Sequence, residues 1–216
     1  MKLSICILTH NRPELFSRAI DSVLRSTCDY EYDILVNNDT RDIIEIHNDD
    51  TCISYSYIRS SDLSNIYKYL YDTSTGEFVY FLEDDDYIDY RLLSQIDFNY
   101  DINYMTYTSI PHICEVGVKE ALQRQNLNNH LLYENSYSKF ISEFNDTYFQ
   151  LSQLCFRRNS LEEFPTGNDI NNDFNLFKSF HRDSTINYIN QQLWIQTTDG
   201  NDNISFDNLN TDERFY

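Results

Sequence analysis

No two cysteines in this 216-residue chain form a CxxC. The five that occur, Cys6, Cys28, Cys52, Cys114 and Cys155, are odd in number and widely spaced, which leaves no zinc or thiol-redox motif. They read as reduced, mostly buried thiols of a cytoplasmic protein. Long hydrophobic runs are also missing. No stretch approaches the ~18 apolar residues of a membrane span. The apolar run at residues 3–8 is too short for the core of a signal peptide and ends in Thr9-His10-Asn11, so neither secretion nor an integral membrane span is expected. Basic residues are scarce: 16 Lys and Arg stand against 35 Asp and Glu, a net charge of −19. So acidic a chain repels nucleic acid and anionic membranes unless a local basic patch forms. Glycine occurs 4 times, proline 3 times, and alanine only as Ala19 and Ala121, while Asn, Asp, Ile and Tyr abound. That bias fits an AT-rich genome, such as that of a phage or a low-GC bacterium. Disorder is excluded by 41% hydrophobic and 15% aromatic content. With no internal repeat and no dividing linker, residues 1–216 read as one domain, ample for a core.

What the chain does have is concentrated in residues 78–89, FVYFLEDDDYID. Phe78, Val79, Tyr80, Phe81 and Leu82 run directly into Glu83, Asp84, Asp85 and Asp86. An apolar run of this length reads as a strand buried on both faces, and the end of such a strand is where a doubly wound sheet places its ligands. Adjacent carboxylates repel one another, so they call for compensation. A hard divalent cation with an anionic ligand supplies it, because Mg²⁺ and Mn²⁺ prefer carboxylate oxygens and bind phosphates at the same time. The bland alternative is an acidic loop on an acidic protein.

Strand and helix signals alternate through the N-terminal half. Residues 3–9 (LSICILT) form a β-rich apolar run. Arg12-Pro13-Glu14 then opens a helix, with proline where its missing N–H does no harm, and Leu15, Ala19, Ile20, Val23 and Leu24 follow at helical spacing. Residues 32–36 and 53–58 read as strands, 63–71 as an amphipathic helix and 78–82 as the next strand. This order predicts an α/β fold, a mostly parallel central sheet flanked by helices. Active residues are then expected at three strand ends: Thr9-His10-Asn11, Asn38-Asp39, and Glu83 with Asp84, Asp85 and Asp86. The second half is less regular. Residues 87–150 show weak periodicity, 157–164 (RRNSLEEF) read as a short helix ending at Pro165, 172–180 as a helix with Phe174, Phe177 and Phe180 on one face, and 186–195 as strand.

Four fragments, SICILTHNRPELFSRAIDSVLRS, DILVNNDTRD, TGEFVYFLEDDDYI and LCFRRNSLEEFP with the later NDFNLF, occur in an order that resembles family-2 glycosyltransferases of the type-A fold. The likeness covers the chain except for residues 87–150. It implies a Rossmann-like nucleotide-sugar-binding half at residues 1–90, and an acceptor and catalytic-base half at 91–216 with a smaller mixed C-terminal part. Thr9, His10, Asn11 and Arg12 match the loop that lines the nucleotide. Asp39 matches the aspartate that accepts a hydrogen bond from the base, usually uracil, and Asn38 stands where the family often has another aspartate. Glu83, Asp84, Asp85 and Asp86 match the metal-binding acidic box. Its register is open, since Glu83/Asp85 and Asp84/Asp86 both give an acid-x-acid spacing. Asp85 and Asp86, with Glu83, are the metal candidates, and Asp84 is assigned to the ribose or sugar side. Asp173 matches the catalytic base of the inverting enzymes, although an Asn-Asp pair before an apolar helix is also a common N-cap.

The chemistry suits these residue types. A divalent cation neutralises the departing diphosphate as a Lewis acid, one carboxylate takes the proton of the acceptor hydroxyl, and attack from the opposite face inverts the anomeric centre. The expected activity is therefore a metal-dependent, Mn²⁺ or Mg²⁺, inverting transfer of a hexose or pentose from a nucleotide-diphosphate sugar. The acceptor is expected to be a carbohydrate or lipid-linked saccharide. One rival is a phage enzyme that glycosylates hydroxymethylated cytosine in DNA, which the charge of −19 opposes. A nucleotidyltransferase, or a non-catalytic metal-binding protein, is the other; the acidic run lacks the glycine and ligand spacing of an EF-hand. Trp194 reads as core or as a stacking surface, and Arg157-Arg158 as diphosphate contacts or surface ion pairs.

Overall fold

The first strand, β1 (Lys2–Thr9), sends alternate side chains into two separate cores, and the rest of the architecture follows from that. The computed structural model describes residues 2–38, 52–58, 60, 63–109, 150–166, 175, 176 and 178–196. Leu3, Ile5 and Ile7 of β1 join one core, and Cys6 joins the other. Helix α1 (Pro13–Leu24) has proline in its first turn and lays Phe16, Ala19, Ile20 and Val23 on the first core. Those positions form a single helical stripe. Strand β2 (Glu31–Asn38) and strand β3 (Cys52–Ser56) follow, and helix α2 (Leu63–Thr73) covers the opposite face with Ile66 and Leu70. Strand β4 (Phe78–Glu83) repeats the division: Phe78, Tyr80 and Leu82 face the α1 side, Val79 and Phe81 the α2 side. Each of these buried aliphatic or aromatic side chains contributes about 1.5–3 kcal/mol.

β1 pairs in parallel with β2 on one side and β4 on the other, and β2 pairs in parallel with β3. The chain continues through β5 (Tyr87–Ile88), a single-turn helix α3 (Leu92–Gln95) and β6 (Ile102–Ser109). Strands β7 (Leu154–Arg157) and β8 (Ile186–Gln196) complete an eight-stranded sheet of order β3-β2-β1-β4-β7-β6-β8-β5. β7 runs antiparallel to both β4 and β6, β6 is parallel to β8, and β5 is antiparallel to β8. The expected α/β fold with a mostly parallel sheet between helices is what forms.

Gly76, just before β4, is required by a close approach. A Cβ there would lie 2.5 Å from the backbone N of Ser4, and the Gly76 N–H donates to Ser4 Oγ at 2.8 Å.

Two expectations for the second half fail. Residues 157–164 are not a helix: Leu154–Arg157 is a strand, followed by one 3₁₀ turn at Arg158–Ser160. The strand fills the gap between β4 and β6, where its backbone groups gain partners on both sides, and that outweighs the helical pattern of the charged residues after it. Phe180 is extended, bridging Leu161, rather than on a helix face. Residues 175, 176 and 178 are helical, while Phe174 and Phe177 lie outside the described residues. In residues 87–109, which show little periodicity, the structure nevertheless places β5, α3 and β6.

Candidate functional site

The register of the parallel strands brings three strand ends side by side. Thr9 at the end of β1 is level with Asn38 at the end of β2, and Leu8 is level with Glu83 at the end of β4. The described residues among those expected at strand ends therefore converge at one end of the parallel strands. Thr9 and Asn38 are buried, and His10 and Asn11 are exposed at the rim. Asn11 has φ of 50°, the one positive value at a non-glycine residue among those described. That left-handed residue turns the chain from β1 into α1, and asparagine tolerates it better than most side chains. Asp39 and Asp173 lie outside the described residues.

After Glu83 the chain makes a tight turn, closed by a hydrogen bond from the Asp86 N–H to the Glu83 carbonyl at 3.1 Å. The turn distributes the four acids unequally. One carboxylate oxygen from each of Glu83, Asp85 and Asp86 falls within 4.8 Å of the others. No other such group of His, Cys, Asp or Glu forms among the described residues. Asp84 is not in the group. It is fully buried, and its Oδ1 pairs with Arg12 Nη2 at 2.6 Å. Of the two acid-x-acid registers, the geometry thus groups Glu83 with Asp85 and leaves Asp84 on the β1 loop.

Two arginines hold the turn. Arg12, at the start of α1, places Nη2 on Asp84 and Nη1 on Asp85 Oδ2 at 3.2 Å. Arg18, half-buried on α1, donates to the Asp85 carbonyl at 2.7 Å and stacks 5.2 Å from the centre of the Tyr87 ring. Burial pushes the Asp84 carboxyl up to about 6, although Arg12, the Thr9 hydroxyl and the His10 backbone N–H oppose it. Burial also raises Asp85, again against the pull of Arg12. Two further residues fix Glu83. Its backbone N–H donates to the buried Ser152 Oγ at 3.1 Å, and the Tyr67 hydroxyl lies 3.5 Å from Oε1. Ser152 is itself set by a turn in which the Gln150 and Gln153 side chains cap each other's backbone. Arg18, Tyr67 and Ser152 had no signal in the sequence, since each is recognisable only by what the fold brings beside it.

The donor set fits a hard divalent cation: three carboxylates, with no nitrogen or sulfur ligand in the group. Mn²⁺ and Mg²⁺ suit it; a soft metal does not.

The remaining candidates have structural places. Trp194 is fully buried in the α1-side core, paired across β8 with Ile88. Arg157 and Arg158 stand at the opposite end of β4, level with Phe78, too far from the acidic turn to meet a ligand bound there.

No protein-family model matches the chain, and no curated protein does. Solved structures do. The first 349 residues of S. aureus TarS superpose with a TM-score of 0.67 at 15% identity, over 91% of this chain and 60% of that one. The chain has the type-A glycosyltransferase fold. TarS bound to UDP-GlcNAc matches with a TM-score of 0.66 at 14% identity, covering 95% of this chain and 61% of that one. A mannosyltransferase from Pyrobaculum calidifontis, bound to GDP-Man and Mn²⁺, matches with a TM-score of 0.61 at 12% identity, covering 90% and 56%. This chain therefore spans about three fifths of the length of each of these three structures. Among the described residues no helix is long and apolar enough to cross a membrane.

Proposed function

We propose that the chain is a metal-dependent, inverting glycosyltransferase that takes a sugar from a nucleotide-diphosphate donor, with a UDP-sugar as the first candidate. The observation that carries this reading is the meeting of the β1, β2 and β4 ends beside the Glu83, Asp85 and Asp86 carboxylates. Structures of the same fold bound to UDP-GlcNAc, or to GDP-Man and Mn²⁺, support it.

Glu83, Asp85 and Asp86 hold the cation, Mn²⁺ or Mg²⁺. That cation supplies Lewis-acid neutralisation of the departing diphosphate. Thr9, His10, Asn11, Asn38 and Asp39 form the nucleoside side of the site, with Asp39 accepting from the base. Asp84, inside the turn, fixes the segment after β1 that carries Thr9, His10 and Asn11. Asp173 removes the proton from the acceptor hydroxyl as it attacks. The acceptor is a carbohydrate or a lipid-linked saccharide; the net charge of −19 weighs against DNA.

A thermal-shift panel of UDP- and GDP-sugars, with and without Mn²⁺, tests the donor half. A donor that binds the folded state raises the melting temperature, and Mn²⁺ should enlarge that rise. No shift with any donor, or turnover undiminished in EDTA, sinks the reading. Asp173→Asn should lower turnover by orders of magnitude with donor affinity near wild type. Asparagine is itself a good N-cap, so an unchanged rate would make Asp173 a cap instead of a base. Sugar transfer to hydroxymethylcytosine DNA at low salt would replace the carbohydrate acceptor with DNA.

A further inference from the structure

Arg12 bridges two carboxylates that have different fates. Asp84 is fully buried and lies outside the group of three, whereas Asp85 belongs to it. The guanidinium spans them with separate nitrogens, Nη2 to Asp84 Oδ1 at 2.6 Å and Nη1 to Asp85 Oδ2 at 3.2 Å. Its side chain is 22% exposed, so part of it reaches solvent. We infer that Arg12 is a transferable counter-cation: it neutralises Asp85 while the acidic turn is empty of metal, and turns its Nη1 edge to the donor diphosphate once a divalent cation claims Asp85.

The reasoning is electrostatic and geometric. Four acids in consecutive positions need positive charge in the metal-free protein, and Arg12 contacts two of them. A dication beside Asp85 both competes for that carboxylate and repels the guanidinium at short range. The ion pair to fully buried Asp84, which lacks hydrogen-bond geometry, keeps the guanidinium at the turn by charge, so the group pivots and does not leave. The freed edge then lies beside the metal, where the phosphates of the donor must sit. A planar guanidinium binds phosphate oxygens as readily as it binds carboxylates. Asn11, held at positive φ, aims the next residue over the turn.

This inference rests on the function proposed above, and one titration set separates the two. Isothermal titration of wild type, Arg12→Gln, Arg12→Lys and Arg25→Gln is run with Mn²⁺ alone, then with UDP and GDP at saturating Mn²⁺. Arg25 is exposed on the same helix and pairs with Asp21, so its loss controls for net charge. The expected result is a crossover. Arg12→Gln binds Mn²⁺ alone about fivefold more tightly, because a nearby positive charge is gone, and binds the nucleoside diphosphate about tenfold more weakly, because a charged phosphate contact is gone. Arg12→Lys keeps the charge but loses the fork, and should shift both affinities in the same directions by less. It carries the test if Arg12→Gln fails to fold. Arg25→Gln should match wild type. Weaker Mn²⁺ binding in the Arg12 variants would mean that Arg12 merely orients Asp85, and overturns the inference. Unchanged nucleotide affinity overturns it as well. Wild type that binds Mn²⁺ but neither nucleotide overturns both the inference and the proposed function, whereas wild type that binds both without a crossover in the variants overturns the inference alone.

Discussion

At the N-terminal end of β4, Arg157 and Arg158 meet Glu77, Asp101 and the last carbonyls of α2; at the C-terminal end, Arg12 and Arg18 meet Glu83, Asp84, Asp85 and Asp86. The first set is closed. Arg157 pairs with Glu77 and Asp101, donates to the Phe98 carbonyl at 2.6 Å and stacks 4.6 Å from the Phe78 ring centre. Arg158 donates to the carbonyls of Tyr71 and Ser74, both at 2.7 Å, and so caps the end of α2. Those carbonyls have no partner within a helix, and a cation complements the dipole there. The second set gathers four consecutive acids, with Arg12 on Asp84 and Asp85 and Arg18 on the Asp85 carbonyl. The same kind of side chain therefore staples one end of the strand by backbone carbonyls and lone acids, and at the other faces four acids in consecutive positions. A charge surplus inside a packed turn is costly, and a ligand that removes it gains that energy as affinity.

The sharpest way to break this comparison is to mutate each end. Asp85→Asn should lower turnover by on the order of 100-fold or more and weaken Mn²⁺ binding in parallel, as expected for loss of a metal-ligating carboxylate. Arg158→Ala should do the reverse: Mn²⁺ and donor affinities of the folded protein within about twofold of wild type, but stability lower by on the order of 2–3 kcal/mol, since it removes several charged hydrogen bonds from half-buried carbonyls. Denaturant unfolding and Mn²⁺ titration of both variants check this. If Arg158→Ala abolished metal binding while folded, the two ends would not be independent.

Much of the acidic end is legible in the sequence. The apolar run at Phe78, Val79, Tyr80, Phe81 and Leu82 has no polar interruption, so it had to be buried on both faces, and its acids had to lie at a strand end. The helical stripe of α1 was equally plain. What could not be read was which of four adjacent acids turns inward. That is decided by the hydrogen bond closing the turn and by Arg12 from the start of α1, distant in sequence, both tertiary facts. The structural role of Arg157 and Arg158 was hidden for the same reason: a helical-looking RRNSLEEF says nothing of the gap between β4 and β6 that its preceding strand fills. Residues 102–109 gave little period-2 signal because β6 is flanked by strands on both sides and mixes Tyr, Asn and Thr with its apolar positions.

A smaller effect separates the inward acid from the three grouped ones. Asp84 has its carboxyl pushed up to about 6 in the folded protein, from 3.8, chiefly by burial. A raised folded value means that its contribution to stability is fully present below about pH 4 and is lost as pH rises through about 6. Asp84→Asn mimics the neutral acid at every pH. In EDTA, wild type and Asp84→Asn should therefore be equally stable near pH 4, and the variant should be the more stable at pH 7, by up to about 3 kcal/mol. Equal stability at pH 7 would show that the Arg12 pair fully offsets the burial of Asp84.

The smallest expected effect concerns backbone strain, which among the described residues also sits only at the acidic end. Asn11 adopts φ of 50° on the rim of the site, immediately before Arg12, and its side chain is exposed. A side chain with a Cβ in this region costs on the order of 1 kcal/mol, less for asparagine and nothing for glycine. Asn11→Ala should therefore lose about 1 kcal/mol, or about 2–4 °C in Tm. Asn11→Gly should stay within a few tenths of a kcal/mol of wild type, since relief of strain is offset by the greater freedom of the unfolded chain. Strain that persists at one end of β4 and not the other is the pattern of a loop shaped for binding, because surrounding contacts must over-determine it. The two variants thus separate shape from chemistry. If the loop serves only to aim Arg12, Asn11→Gly should keep wild-type donor affinity, and Asn11→Ala should lose affinity together with stability. If Asn11 itself touches the donor, both variants should bind it more weakly, whatever their stability.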